Sequence, residues 1–554
     1  MQRNFNPLSE KVFDLAIIGG GVYGIACARD AALRGLSVVL FESKDFGGQT
    51  SANSAKIAHC GMRYLQHLDF KRMRESIRER NNLHQLAPHL VESQPFLMPI
   101  YGHGIKGKET LTLYLKLYDL LSPERRQFSD PYRKVPGSKI ISRKEVLEIA
   151  PGIVEEGLNG GAVWYEGQMQ NTERLTMSML RSAKEFDAEF FNYSKVTKII
   201  NKGNRVTGLE VKDLLGDNSF NVQARYVLNT AGPWINKIFE ISDLNFRDHG
   251  IYASKAFSLL TKPISDKFAI TFPIRPMYTD NKAVVDKKSS LQFAIPWRGK
   301  TMYASLHLPC DENPDNVRIT EEEINTYIER INEGFPGAKL KRSDIDHVLW
   351  GIVPAESKGS AAPMKHYKLI DHQKEEGIEG MGTLVGVKYV TARDVAKKAI
   401  DMVEKNLNQP CTSCQTDKKP LWGGNIDFFE ESLKSIITQH RKILSEDQIM
   451  NLIRTYGTKC EDVIAMSLES EELRQVIPKT DIIRAQIVYA AREELAEKLS
   501  DIILRRTDLG SHGYPGDEAL QICAEIMAKE KKWSKERIEE EIQTAKDEYI
   551  YSHK

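Results

Sequence analysis

Gly19-x-Gly21-x-x-Gly24 stands between a short apolar run, Asp14 to Gly20 (DLAIIGG), and a stretch of small and apolar residues, Val22 to Leu33. Ser37 to Phe41 (SVVLF) then resumes a strand pattern. Strand, glycine turn, helix, strand is a βαβ unit, which commits this part of the chain to a parallel sheet with a buried crossover helix. The first glycine permits the tight turn, the second lets a pyrophosphate approach the main chain, and the third lets helix and strand pack closely. The helix N-terminus then faces the phosphates. Glu42 comes 18 residues after Gly24, at the end of the second strand, where a carboxylate accepts hydrogen bonds from ribose hydroxyls. A dinucleotide is the expected ligand.

The segment after the second strand decides which dinucleotide. A nicotinamide-binding chain would continue with further βαβ units, whereas here Thr50-Ser-Ala-Asn-Ser-Ala-Lys56 supplies small polar groups, and a compact His59-Cys-Gly-Met-Arg-Tyr64 comes next. That arrangement favours FAD. Downstream, Tyr226 to Trp234 (YVLNTAGPW) is an apolar strand ending in small residues, suited to lie against the nucleotide.

The 77 Lys and Arg against 76 Asp and Glu leave a net charge of +1, so no bulk basic field would hold nucleic acid, and an anionic substrate needs a local cluster. Met1 to Glu10 lacks the apolar core of a signal peptide, and no stretch reaches the ~18 apolar residues of a membrane span. The expected location is the cytoplasm, with attachment to the cytoplasmic face of the membrane left open. Seven scattered cysteines suit a reducing compartment and free thiols. Cys411 and Cys414 have CxxC spacing, but no second pair follows at zinc-site spacing, so no metal site is expected. Cys60, beside His59, is a minor candidate for covalent flavin attachment.

Farther along, Phe70 to Leu90 reads as a helix with Phe70, Met73 and Ile77 on one stripe and the charges solvated. Phe190 to Leu228 reads as alternating strands with hairpin turns at Gly203-Asn204 and Gly216-Asp217, and a β-rich portion continues to about Leu308. After Pro410, the segment Pro420-Leu-Trp-Gly-Gly looks like a linker into a helical tail, where Ile483 to Leu504 and Ser534 to Tyr549 carry helical spacing.

At these motifs the chain resembles the FAD-dependent glycerol-3-phosphate dehydrogenases of the amine-oxidising flavoprotein superfamily. The glycine motif, SANSAKIAHCGMRYL, NTAGPW, Ile295-Pro-Trp297, Gly386-Val-Lys388, and a tail running from Tyr489-Ala-Ala-Arg-Glu-Glu-Leu to Leu504-Arg-Arg-Thr507 keep that family's order. The resemblance implies an α/β fold in which a Rossmann-type FAD-binding domain is interleaved with a β-rich substrate domain and followed by a helical C-terminal domain. The expected divisions are an oxidoreductase region over 1–410 and a helical domain over 420–554. Within the first, the FAD-binding parts are roughly 10–85, 150–240 and 345–408, and the substrate domain roughly 86–149 and 241–344. The implied reaction is oxidation of the secondary alcohol of glycerol 3-phosphate or a related polyol phosphate by hydride transfer to flavin N5, with electrons passed to a quinone, to oxygen or to another acceptor. Also open are oxidation of a different hydroxy acid, amine or sugar-derived substrate, and a non-catalytic flavin-binding subunit.

The same resemblance assigns His59, Arg63, Tyr64, Lys365 and Lys388 to substrate and catalysis. It assigns Gly19, Gly21, Gly24, Glu42, Ser43, Thr50, Ser51, Ser54, Lys56, Val196, Ala231, Gly232, Gly386, Lys388 and Thr391 to the cofactor. Departures fall around the expected substrate pocket. The family's Gly-Val-Arg-Pro reads Gly351-Ile-Val353-Pro354, a second arginine is Lys365, and the Thr-Thr-Asp after the Ile-Pro-Trp strand is Ser305-Leu-His307. Thr110 to Leu121 (TLTLYLKLYDLL) carries apolar residues at helical spacing and is open to a membrane-surface contact, a homodimer contact or core packing.

Overall fold

The computed structural model describes residues 1, 3–59, 69–102, 107–123, 130–275 and 290–551. Its first sheet runs in the order Lys368–Asp371, Met381–Val385, Ser219–Asn229, Val12–Ile18, Val38–Phe41, Glu189–Phe191. All neighbours are parallel except the first pair. Period-2 alternation sends the two faces of the central strand to different cores. Leu15 and Ile17 pack with Ile25, Leu180 and Ile400 under the helices Val22–Leu33, Thr172–Lys184 and Ala392–Asn406. Ala16 and Ile18 pack with Ile199, Val211 and Val222 beneath the hairpin Ser194–Lys202/Arg205–Asp213. The hairpin turns at Gly203 with φ +56°, and Asp217, also left-handed, turns the chain back into Ser219–Asn229.

The second sheet, of nine strands, orders Ile345–Ala355, Tyr252–Thr261, Lys300–Cys310, Ser290–Trp297, Ala269–Ile274, Val91–Tyr101, Leu158–Met169, Ile57–Ala58, with Lys139–Ile141 beside Leu158–Met169. Helix Glu321–Gly334 covers one face through Ile324, Tyr327 and Ile331, and Met73, Ile77, Leu115 and Tyr118 of the helices Phe70–Leu86 and Lys108–Leu120 cover the other. The interleaved α/β architecture is as expected, but three strands fall outside the expected divisions. Ile57–Ala58 and Val91–Tyr101 pair with Leu158–Met169, and Ile345–Ala355 pairs with Tyr252–Thr261, so Ile57–Ala58, Leu158–Met169 and Ile345–Ala355 all belong to the second sheet. On helix Phe70–Leu86, Glu79 and Arg80 are buried rather than solvated, and Arg80 donates to the Tyr118 hydroxyl and the Tyr165 carbonyl.

The tail folds as helices Phe429–His440, Glu446–Tyr456, Cys460–Ser467, Arg484–Glu493, Asp517–Lys531 and Lys535–Asp547 around two apolar clusters. The last begins one residue after Ser534, whose side chain accepts the Arg537 N–H. The continuous helix expected over 483–504 is broken. It stops at Glu493, Leu495 turns left-handed with φ 54°, and a wider π-turn resumes at Ile502–Arg506. The break lets Glu494 leave the helix register and receive Arg174 in a fully buried bidentate pair, at 2.6 and 2.9 Å.

Candidate functional site

The glycine turn is built for close approach. A Cβ on Gly19, which sits at φ +99°, would lie 2.8 Å from the Thr230 carbonyl oxygen, and one on Gly24 would lie 2.0 Å from that of Gly19. Gly21 precedes the helix Val22–Leu33 without a side-chain cap from its own position, and Ser51 Oγ accepts the Val22 N–H at 3.0 Å. Ser51 thereby joins the polar 50–54 segment to the helix entrance. Thr230, overlooked in the sequence, donates its hydroxyl to the carbonyls of Ile18 and Gly19, tying the two strand ends together beside Ala231 and Gly232.

Glu42 is held by the main chain. Its Oε2 accepts the Gly20 N–H at 2.7 Å and its Oε1 accepts the Lys44 N–H at 2.8 Å, with the Ser43 hydroxyl donating to the same Oε1 at 3.3 Å. Burial pushes the Glu42 carboxyl upward, against those two backbone donors. Val196 lies on the hairpin next to Glu42, but its side chain is in the core, so only its backbone can face a ligand. A turn that no Cβ could enter, a helix N-terminus and an acidic strand end fit the pyrophosphate and ribose of FAD.

Other expected residues have different local roles. Thr50 Oγ1 donates to the Ile352 carbonyl at 2.8 Å and accepts the Ile352 N–H at 3.2 Å, joining the polar 50–54 segment to the strand that carries Val353. Ser54 Oγ accepts the Lys56 N–H. Lys56 lies inside the protein. It is fully buried, and its ammonium donates to the Ala52 carbonyl, to Thr172 Oγ1 at 2.8 Å and to Glu173 at 2.6 Å. All three of its ammonium hydrogens thus have acceptors within the protein.

Gly386 abuts Tyr23, an aromatic inside the glycine motif whose part the sequence did not reveal. A Cβ on Gly386 would lie 2.1 Å from that ring. The Tyr23 hydroxyl accepts the N–H groups of Val387 at 3.0 Å and Lys388 at 2.9 Å, and donates to the Lys388 carbonyl at 2.7 Å. One phenol thus holds the main chain of the turn carrying Lys388, just ahead of Thr391 at the start of helix Ala392–Asn406. Tyr23→Phe leaves those groups without their partner, an expected loss of about 1–3 kcal/mol. The check is a lower thermal midpoint together with faster amide exchange at Val387 and Lys388.

His59 ends the strand Ile57–Ala58 and is exposed. Arg63, Tyr64 and Cys60 lie outside the described residues. Lys365 is half-buried, and its carbonyl accepts Arg72 Nη2 at 2.5 Å, so the start of helix Phe70–Leu86 brings a further cation to this segment. Burial and the neighbouring Arg72 hold the His366 imidazole below its usual range. Val353 pairs with Ser254, and Ala256 on the same strand pairs with both Gly351 and His307. Two of the three departures, at Val353 and at His307, therefore share one patch of the second sheet. Ser305 meets Ser258 through a hydroxyl contact of 2.9 Å. Cys411 and Cys414 are free thiols, exposed and half-buried respectively.

Residues 14–373 match the family described as FAD dependent oxidoreductase, and residues 414–538 match the C-terminal domain of alpha-glycerophosphate oxidase. The chain is 30% identical to a glycerol-3-phosphate dehydrogenase of Synechocystis sp., over 98% of this chain and 97% of that protein. It is 29% identical to an aerobic glycerol-3-phosphate dehydrogenase of Bacillus subtilis, over 91% and 88%. Among solved structures, the glycerol-3-phosphate dehydrogenase from Bacillus halodurans complexed with FAD superposes with a TM-score of 0.75 at 23% identity, covering 99% of this chain and 96% of that one.

Proposed function

This chain belongs to the FAD-dependent oxidoreductase family and ends in the C-terminal domain described for alpha-glycerophosphate oxidase, and from that premise we propose that it oxidises the secondary alcohol of glycerol 3-phosphate or a close polyol phosphate. The observation that carries the reading is the end-to-end match, cradle and tail together, to relatives of that name. When bound, FAD supplies the hydride acceptor. The chain's part is to hold and orient. The turn at Gly19 to Gly24 receives the pyrophosphate, Glu42 the ribose, and the Tyr23-anchored turn presents Lys388 toward the substrate.

A phosphate is held by two or more convergent donors. With Val353 where the family keeps an arginine, Arg63, Lys365 and Lys388 carry that charge, with Arg72 beside Lys365. His59 accepts the hydroxyl proton, and Tyr64 shapes the pocket. Electrons leave to a quinone, to oxygen or to another acceptor. Among the described residues no helix is long and apolar enough to cross a membrane. Helix Lys108–Leu120 instead exposes Leu113 and Leu120, at 70% and 75%, as a surface able to lie in a headgroup layer.

Anaerobic stopped-flow mixing with glycerol 3-phosphate tests the reading. Rapid bleaching of the flavin absorbance is expected. No bleaching in protein that dithionite still reduces would sink it, and would turn attention to the second reading, a different hydroxy acid or amine in a pocket altered at Val353 and Ser305. In the active protein, Lys388→Met is expected to lower kcat/KM about 10- to 100-fold, the loss of one charge-assisted hydrogen bond. Steady-state kinetics at saturating acceptor read this directly.

A further inference from the structure

We propose that His249, His372 and Glu376 form a binding site for a divalent transition-metal ion of the zinc class, on the face of the parallel sheet away from the glycine helix. His372 and Glu376 occupy the two ends of the single helical turn His372–Glu376, and His249 comes from a loop 123 residues earlier. That separation is why no ligand spacing was visible in the sequence. Glu376 Oε1 lies 2.7 Å from His249 Nε2, and Glu376 Oε2 lies 2.6 Å from His372 Nδ1. The three ligand atoms lie within 4.8 Å of one another.

Two imidazole nitrogens and one carboxylate make a ligand set that zinc accepts with a fourth position open. Magnesium and calcium ask instead for oxygen-rich shells. The side chains are 5%, 0% and 7% exposed for His249, His372 and Glu376, so the cluster is closed to bulk water. His249 Nε2 gives the independent pointer. It is buried and close to the carboxylate but out of line, and it has no hydrogen bond of proper geometry. A ring nitrogen aimed into a cluster without an aligned partner is what a ligand lacking its ion looks like.

Outer contacts already orient the set, as metal sites require. His372 Nε2 meets Thr383 Oγ1 at 2.8 Å, so Nδ1, which is bonded to Glu376 Oε2 at 2.6 Å, is the atom the ion would take. The Arg247 N–H donates to Glu376 Oε1 at 3.1 Å, and Lys368 Nζ donates to the His249 carbonyl at 2.6 Å. Phe239 and Phe246 pack edge-on against the His372 ring and fix its plane, at centroid distances of 5.5 and 4.9 Å. A tetrahedral ion with bonds near 2.0–2.1 Å sets its donors about 3.3 Å apart, so the carboxylate has to swing back by about 0.6 Å. The ion would fasten the His249 loop to the turn His372–Glu376, which touches strand Met381–Val385 through Thr383, and that strand leads directly into Gly386 and Lys388. Its role is structural and separate from the flavin chemistry.

FAD-loaded full-length protein is stripped with EDTA, desalted, incubated with Zn²⁺, desalted again and assayed by elemental mass spectrometry. About one zinc per chain is expected, with a rise in thermal midpoint. The zinc should be lost in His249→Gln and in Glu376→Gln and kept in Cys411→Ser/Cys414→Ser. No retained zinc in the wild type, or zinc that survives His249→Gln and disappears with the cysteines, would overturn the proposal. If the histidine and glutamate variants fail to fold, Co²⁺ loading of the wild type decides. Visible bands without sulfur-to-metal charge transfer are expected, and a thiolate band or no cobalt bound would reject the site.

Discussion

Asp45→Ala is expected to lower the stability of the folded chain by roughly 3–5 kcal/mol, the usual effect of removing one partner from a buried ion pair, and to loosen FAD with it. Asp45 lies three residues after Glu42 and is 3% exposed. Its Oδ1 accepts Arg506 Nη2 at 2.7 Å, and its Oδ2 accepts Arg506 Nη1 at 2.7 Å and Arg505 Nε at 2.5 Å. Arg505 continues to Asp501, which also receives the Tyr193 hydroxyl. The Leu504-Arg-Arg-Thr507 stretch of the tail thus reaches back and grips the loop behind Glu42. Without Asp45, Arg506 keeps, among the described residues, its Nε bond to the Glu494 carbonyl, inside a fully buried environment. The measurements are the thermal midpoint and the temperature at which flavin fluorescence is released, and both should fall together. Asp45→Ala/Arg506→Met should recover part of the loss, because no uncompensated charge then remains on that pair.

The same pair sets an acid limit. Burial alone would raise the Asp45 carboxyl, but Arg506 and Arg505 outweigh it and hold the group well below the usual carboxylate range. A group depressed in the folded state contributes stability above its unfolded pKa of about 3.9 and loses that contribution as pH falls toward the folded value. Thermal midpoints of the wild type should therefore drop below about pH 4 more steeply than those of Asp45→Ala/Arg506→Met.

Gly24→Val is expected to abolish FAD binding. A Cβ at this position would sit 2.0 Å from the Gly19 carbonyl oxygen and 2.6 Å from Thr230 Oγ1, so the helix must retreat from the strand and carry its N-terminus away from the pyrophosphate. The ratio of flavin to protein absorbance after purification should fall to background. Gly35→Ala is the matched comparison. Gly35 has a left-handed φ of +85° but open space around its Cβ position, so that variant bears about 1–2 kcal/mol of backbone strain and stays yellow. Retention of full flavin by Gly24→Val, with circular dichroism unchanged, would show that the cradle is not where the cofactor sits.

Much of this was legible because it is local. The apolar run at Asp14–Gly20, its glycines and Glu42 18 residues beyond Gly24 are a periodic strand, a turn and a second strand end within thirty residues. The helical spacing of Ser534 to Tyr549 needed only its own stripe and its cap at Ser534. The ion pair of Lys56 with Glu173 was not legible, because a separate helix brings Glu173 beside it. Tyr23 was passed over because the turn it anchors is 365 positions away in the chain.

Local pattern and turn chemistry are encoded over a few residues, so the βαβ start, the dinucleotide cradle, the β-rich middle and the helical tail could all be read from the order of amino acids. Pairings between buried charges are encoded by no period at all. Arg506 meets Asp45 across 461 positions, Arg174 meets Glu494 across 320, and His249 meets Glu376 across the loop and strands between them. Those meetings arise when the sheets pack and water leaves, because only then does an unpaired charge or ring nitrogen become expensive enough to choose its partner. Folding placed the tail's arginines behind the cofactor loop, Tyr23 under Lys388 and two histidines on one carboxylate.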